Sequence, residues 1–287
     1  MKGTIGGKVQ KFYNETPFPD YELERFENKE QLRILAYPFA ETLDRSIPKD
    51  ASIIDVGTGT GQLSAFLSLK RKNVWGIDFS DSSLKKANAL KEKLKLDTLT
   101  LKKVNILNDN EIEKLPKFDY VLCMGVLHHT GNPKKAFRNI LKLLKPNGKI
   151  AIGLYNKYGR IPLKIRIFLA KTIFRNNQKV KDYFIRLQIG EIKDKERARG
   201  WWNDQYEHPH ESTHTIGEVL DWFKKYNVKY LQTVPNTKFS NGTDLECYGL
   251  FNKERKPTIV HRAYNQLKWI YTTHKEGGYW ITMGERK

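Results

Sequence analysis

Short, nearly unbroken apolar runs alternate along this chain with longer stretches in which apolar residues recur every three or four positions. The runs at 53–56, 74–78, 99–105, 118–124, 150–155 and 228–234 read as strands, and 118–124 is a continuous apolar run, as expected for a strand covered on both faces. Between them, apolar residues from Leu63, over 84–94 and over 133–144 keep helical spacing. Strand and helix in alternation predict an α/β fold with helices on both faces of a largely parallel sheet. Ahead of the first strand, residues 9–13 read as a short helix. Pro17 and Pro19 stiffen the next segment, because each proline fixes its own φ and biases its predecessor to extended geometry. Leu32, Leu35, Ala36 and Phe39 then space as one amphipathic helix. After residue 155 the alternation stops, and apolar residues interleaved with Lys and Arg predict a helical insertion. Thr215, followed three positions later by Glu218, is a capping box that opens the next helix, with Val219, Leu220, Trp222 and Phe223 as its apolar face. Residues 246–251 read as a seventh strand, and an aromatic tail closes the chain.

The first strand ends in Asp55-Val56-Gly57-Thr58-Gly59-Thr60-Gly61 and passes directly into a helix. Alternate glycines permit backbone conformations closed to other residues and let a ligand lie on the main chain at a helix N-terminus. The third glycine comes one position too early for the dinucleotide fingerprint, and no Gly-Lys-Ser/Thr is present to make a P-loop. Asp78 ends the second strand about 20 residues on, where α/β nucleotide sites place an acid on ribose hydroxyls. The alternative for Asp78 is to cap the next helix, which Ser80 can also do.

The Asp-x-Gly-x-Gly-x-Gly loop resembles the S-adenosylmethionine (SAM) loop of class I methyltransferases. The resemblance extends to Gly125-Val126-Leu127-His128-His129 after the fourth strand and to the Leu-x-Pro-x-Gly turn before the fifth, together covering about residues 50–155. It implies a seven-stranded Rossmann-like methyltransferase sheet with helices on both faces, strand seven antiparallel between five and six, and a helical insertion after strand five. It also implies SAM as cofactor, cradled by Asp55, Gly57, Thr58, Gly59 and Gly61, with Asp78 on the ribose and Phe79 beside it. Asn105 stands where such enzymes usually carry an Asp for the adenine amino group, and its side-chain oxygen can accept the same bond. Ile106 offers a packing surface for adenine. Gly125 and Val126 are placed against the methionine part, and His128 or His129 as a general base. In many members an N-terminal segment closes over SAM, which makes Tyr13 a candidate cofactor contact or a hydrophobic latch.

With 287 residues, one core carrying a large insertion is the economical organisation. The divisions are an N-terminal segment 1–48 over the cofactor, a SAM-binding core 49–155, an insertion 156–214, the end of the sheet 215–252 and a tail 253–287. No transmembrane segment or signal-peptide core is legible, so a soluble, cytoplasmic protein is expected. Cys123 and Cys247 are too few for a disulfide framework or a cysteine zinc site.

The net charge is +19, and 13 Lys or Arg against 4 Asp or Glu lie between Lys157 and Arg199. Such charge suits nucleic acid, a peripheral contact with an anionic membrane or an acidic substrate; it also suits a lysine-rich genome or a lid with a solvated face. His210 to His214 spells His-Glu-x-x-His, but Pro209 and the capping box start the helix after His214, so no metal is expected. Instead, Asp204, Tyr206, His208 and His214 are candidates to orient a polar nucleophile. Asn156, Tyr158, Gln205 and His210 are placed as substrate contacts, and a buried hydrogen-bond network under the lid is the rival explanation. No Asn/Asp-Pro-Pro-Tyr/Phe segment follows strand four and no cysteine motif of the cytosine-C5 kind occurs, which turns the reading towards a small-molecule or lipid-like acceptor. RNA-directed methylation, or a non-catalytic SAM- or RNA-binding module using the basic insertion, is the alternative.

Overall fold

Apolar runs without a polar face need cover above and below, and the chain supplies it by following most strands with a helix. The computed structural model describes residues 3–175, 177–190, 195–235, 249–253, 256–273 and 277–287. Helices α1 (Ile5–Glu15), α2 (Lys29–Ile34) and α3 (Pro38–Ser46) come first. The core continues with β1 (Ile53–Val56), α4 (Gln62–Ser68), β2 (Val74–Asp78), α5 (Asp81–Lys93), β3 (Leu99–Lys103), α6 (Asp109–Glu113), β4 (Phe118–Met124), α7 (Pro133–Leu141) and β5 (Leu144–Tyr155). Helices α8 (Ile161–Lys171), α9 (Gln178–Ile189) and α10 (Lys195–Tyr206) form the insertion, and α11 (Ile216–Lys225), β6 (Val228–Val234), α12 (Ile259–Thr272) and β7 (Tyr279–Arg286) complete the chain. The strands make one sheet in the order β3-β2-β1-β4-β5-β7-β6. Strands β1 to β5 pair in parallel, and β7 runs antiparallel to both β5 and β6. Successive strand residues point to opposite faces, so Ile54 and Val56 enter one core with Phe137 and Trp222, while Ile53 enters the other with Leu67 and Leu90.

Three expectations are corrected. The seventh strand is the aromatic run at the end of the chain, not residues 246–251: of those, 246–248 lie outside the described residues, and Leu250 and Phe251 sit in a turn packed on the second core. Strand β7 lies between two others, so Trp280, Ile281 and Met283 are buried, Trp280 in one core and the other two in the second. The helix expected over Leu32–Phe39 is two helices, because Pro38 holds Tyr37 extended (ψ 145°) and starts α3 afresh. Helix α7 stops at Leu141, and the turn expected at 145–149 is part of β5, opposite a register shift between Phe118 and Tyr120.

Strand order reverses between β1 and β4, and open α/β sheets hold ligands in the crevice at the carboxyl ends there. Two segments meet at that edge. From the N-terminal side, Tyr21 donates to the Thr60 carbonyl (2.6 Å), Thr60 Oγ1 to the Pro19 carbonyl (2.8 Å) and Gln10 Nε2 to the Phe79 carbonyl (2.8 Å). The insertion leaves β5 at Asn156 and returns beside it: Lys157 N donates to the His214 carbonyl (3.2 Å) and His214 N to the Tyr155 carbonyl (2.9 Å). Its helices share a small core of Leu163, Phe184, Trp202 and Tyr206. Among the described residues no helix is long and apolar enough to cross a membrane.

Candidate active site

The glycine loop is held open by a carboxylate. Gly59 N donates to Asp78 Oδ2 (2.9 Å) and Ser80 N to Asp78 Oδ1 (2.8 Å), so β2 braces the turn after β1. Gly59 has φ +55°, and a Cβ there would lie 2.5 Å from the Phe18 carbonyl oxygen; a larger residue would push the N-terminal segment off the loop. Phe79 N is a third backbone donor to this carboxylate, which still keeps acceptor capacity for a ligand. Burial raises the Asp78 pKa, and burial lifts Asp55 to about 7. Asp55 accepts a bond from Thr58 Oγ1 (2.8 Å), which also lies 2.7 Å from Ser64 Oγ, so this acid stiffens the loop from below.

A cleft of about 2400 Å³ opens above the loop. Single-ligand pockets are usually about 300–1,000 Å³, so the space accommodates a cofactor and an acceptor together. Asp55, Gly57, Thr58 and Gly59 line it from the loop, Asp78 and Phe79 from the end of β2, and Asn105 and Ile106 from beyond β3. Gly125 and Val126 line it after β4, and Tyr13 from α1. Gly61 does not: it starts α4 at φ +84°, and a Cβ would come 2.7 Å from that of Ala87, so its role is close packing of α4 on α5. Asn105 Oδ1 already accepts from Leu107 N (3.0 Å), leaving one lone pair for a ligand. Glu111 also lines the cleft and was missed by the sequence reading; it accepts from Asn105 N and Asn108 Nδ2, both at 2.7 Å. The signal for it was available, since Asn108 caps α6 and Glu111 stands three residues on, as in a capping box.

Opposite the loop, Tyr13, His129, Tyr155, Asp204 and Gln205 form the far wall. Asp204 accepts from Tyr13 OH (3.3 Å) and from Gln205 Nε2 (2.7 Å), and Gln205 Nε2 also donates to Tyr155 OH (2.7 Å). Behind them Arg160, fully buried, donates from Nη1 to Gln205 Oε1 (2.8 Å) and to the Gly277 carbonyl (3.0 Å). Its remaining nitrogens form a fork with Glu211, and its guanidinium lies 3.6 Å from the Tyr155 ring centre. Burial raises Asp204 to about 6, with Gln205 and Arg160 working against that rise. Sequence reading missed Tyr155, Arg160 and Glu211.

Burial holds His128, His129 and His208 neutral. His129 Nδ1 lies 3.1 Å from the His210 carbonyl, which only accepts, so Nδ1 carries the proton and Nε2 is the acceptor. His128 Nε2, 3.0 Å from His129 Nε2, is then the donor, and His128 Nδ1 is a bare buried nitrogen without a partner among the described residues. Burial lowers His129 to about 3 and His208 to about 2, and takes His128 well below its usual range.

The cluster expected around the acceptor divides. Asp204, Gln205, His129 and Tyr13 face the cleft. Tyr206 points the other way, stacked on Trp202 at 4.1 Å in the insertion's own core. His208 stacks on His129 (3.7 Å) behind the wall, with Nδ1 accepting from His210 N. His214 is held between Ser212 Oγ (2.8 Å) and Glu218 (2.9 Å), and Ser212 N donates to the His128 carbonyl (2.8 Å), so His128 and His214 are bound into the scaffold. Asn156 caps the start of the insertion by accepting from Tyr158 N and Gly159 N, and neither Asn156, Tyr158 nor His210 lines the cleft. His210 and His214 lie in an extended segment before α11, so the His-Glu-x-x-His letters form no helix face. Thr215 accepts from Glu218 N (3.1 Å), the cap that the sequence predicts.

A sheet with this reversed last strand, carrying its ligand end between a glycine loop and a ribose-spaced carboxylate, is the architecture of class I SAM-dependent methyltransferases. The family model for the methyltransferase domain matches residues 47–213, more than half of the chain, and the chain belongs to that family. SAM is the cofactor of the class. Among curated proteins the chain is 32% identical over 108 residues to the ubiquinone biosynthesis O-methyltransferase of Dechloromonas aromatica, covering 37% of this chain and 44% of that protein. It is 28% identical over 141 residues to the protein of that name from Xanthomonas oryzae pv. oryzae, covering 46% and 56%. The chain thus spans about half the length of these relatives. PKMT2 from Rickettsia typhi has a similar solved structure, with TM-score 0.60 and 18% identity over 88% of this chain and 53% of that one. A second structure of that protein, in complex with AdoHcy, gives TM-score 0.55 and 17% identity over 86% and 52%. These structures share the fold. The residues around the cleft fit SAM, since the Asp78 carboxylate lines the cleft with acceptor capacity left beyond its backbone bonds, which a ribose hydroxyl requires.

Proposed function

We propose that the chain transfers the SAM methyl to an oxygen of a small-molecule or lipid-like acceptor seated against Asp204. Asp78 would hold the ribose and the Gly57–Gly59 turn the amino-acid end, with Ile106 beside the adenine and residues 1–48 as a cover. Bound SAM supplies an already activated methyl, so the protein's tasks are to align the acceptor, keep out water and remove a proton where the nucleophile is a hydroxyl. The observation that carries the reading is Asp204: a buried carboxyl on the cleft wall, poised at about 6 and fixed by Tyr13 and Gln205. It is mostly ionised at neutral pH and basic enough to take a proton. His129 is the weaker choice, because its Nε2 lone pair already accepts from His128 Nε2 and burial disfavours its charged form. The names of the curated relatives support oxygen as the methylated atom.

In this reading Asp204→Asn lowers kcat by about 10²-fold or more while SAM affinity and Tm stay unchanged. The wild-type rate falls as pH drops through about 6, where Asp204 takes up its proton, and the variant lacks that limb. An unaltered rate and pH profile in Asp204→Asn would remove Asp204 from the reaction.

A further inference from the structure

The insertion presents an apolar stripe that no described part of the chain covers. Helix α8 buries Leu163 and Ala170 on its inner side, while Ile161, Ile165 and Phe168 fall together on the outer side at spacings of four and three. Ile165 is 54% exposed and Phe168 61%, and the turn after the helix adds Ile173 at 63%. The surrounding charge has one sign: from 157 to 190 the sequence holds nine Lys and Arg and a single acid, Asp182. Lys171 pairs with Glu207 (3.1 Å), whereas Lys157, Lys164 and Arg175 are exposed and have no acidic partner among the described residues.

We propose that this face of α8 and the turn after it docks on a membrane leaflet containing anionic lipid. Phosphate headgroups meet the lysines and arginine, and Ile165, Phe168 and Ile173 enter the apolar boundary beneath them. An RNA partner would use the same charges but leave the protruding apolar side chains in water, which is why lipid is favoured. On the neighbouring helix α9, Tyr183 and Leu187 are about half exposed, and Leu187 lines the cleft. Docking through this face is independent of which acceptor is methylated.

Co-sedimentation of the full chain with vesicles of phosphatidylcholine, alone or mixed with phosphatidylglycerol, tests this. Binding is expected on the mixed vesicles only. Ile165→Ser with Phe168→Ser, and separately Lys164→Gln with Arg175→Gln, should each lower the partition coefficient by about tenfold or more, with Tm unchanged because these side chains are exposed. Absence of wild-type binding to mixed vesicles overturns the proposal. So does loss of binding in the charge variant but not in the apolar one, the behaviour of a basic surface that holds any polyanion, RNA included.

Discussion

Asp78 braces the glycine loop and, in the proposed function, also holds the ribose. Its oxygens shape the loop through Gly59 N and Ser80 N, and the residue lines the cleft. Asp78→Ala is expected to weaken SAM binding by about tenfold or more in calorimetry, since charge-assisted hydrogen bonds contribute about 1.5–3 kcal/mol. Unchanged affinity would show that the ribose is held elsewhere. That Gly57, Gly59 and Asp78 come together on one side of the cleft was legible in the sequence because the spacing is local: glycines at alternate positions, then an acid after one more helix and strand. The opposite wall was not. Arg160 and Glu211 lie 51 positions apart, and Arg160 reads as one more base in a basic stretch until the fold buries it beside Tyr155. The histidine pair was legible as a pair, but its hydrogen bonds, which decide which nitrogen is basic, depend on a carbonyl 81 positions away.

At the scale of elements, the account rests on how the insertion is tied to the sheet. Arg160 starts α8, and through Glu211, Gln205 and the Gly277 carbonyl it joins both ends of the insertion to the turn before β7. Breaking a buried ion pair by removing one partner leaves the other uncompensated, so Arg160→Met is expected to lower unfolding stability by about 3 kcal/mol or more in denaturant titration. A change below about 1 kcal/mol would show that the fork with Glu211 does not hold the insertion. Strands β2, β4 and β6 correspond directly to their apolar runs. Strand β7 was obscured by the glycines before it and by its place last in sequence, although it lies between β5 and β6 in the sheet. The split between α2 and α3 at Pro38 shows the same limit: the apolar spacing continues across a residue that the backbone cannot carry through a helix.

For the whole molecule, the excess of positive charge does not decide between partners, because the cleft and the charged face of α8 are lined by different residues. In the proposed function the cleft carries the chemistry, with SAM on the wall of Asp78 and the acceptor against the carboxyl of Asp204. The most direct measurement is transfer of label from methyl-labelled SAM in the presence of a hydroxylated small-molecule and lipid extract and, separately, of purified RNA. The account predicts S-adenosylhomocysteine formed in step with label in the small-molecule or lipid fraction, and little label in RNA. No S-adenosylhomocysteine above background with any acceptor pool, or label entering RNA at comparable rates, would contradict it.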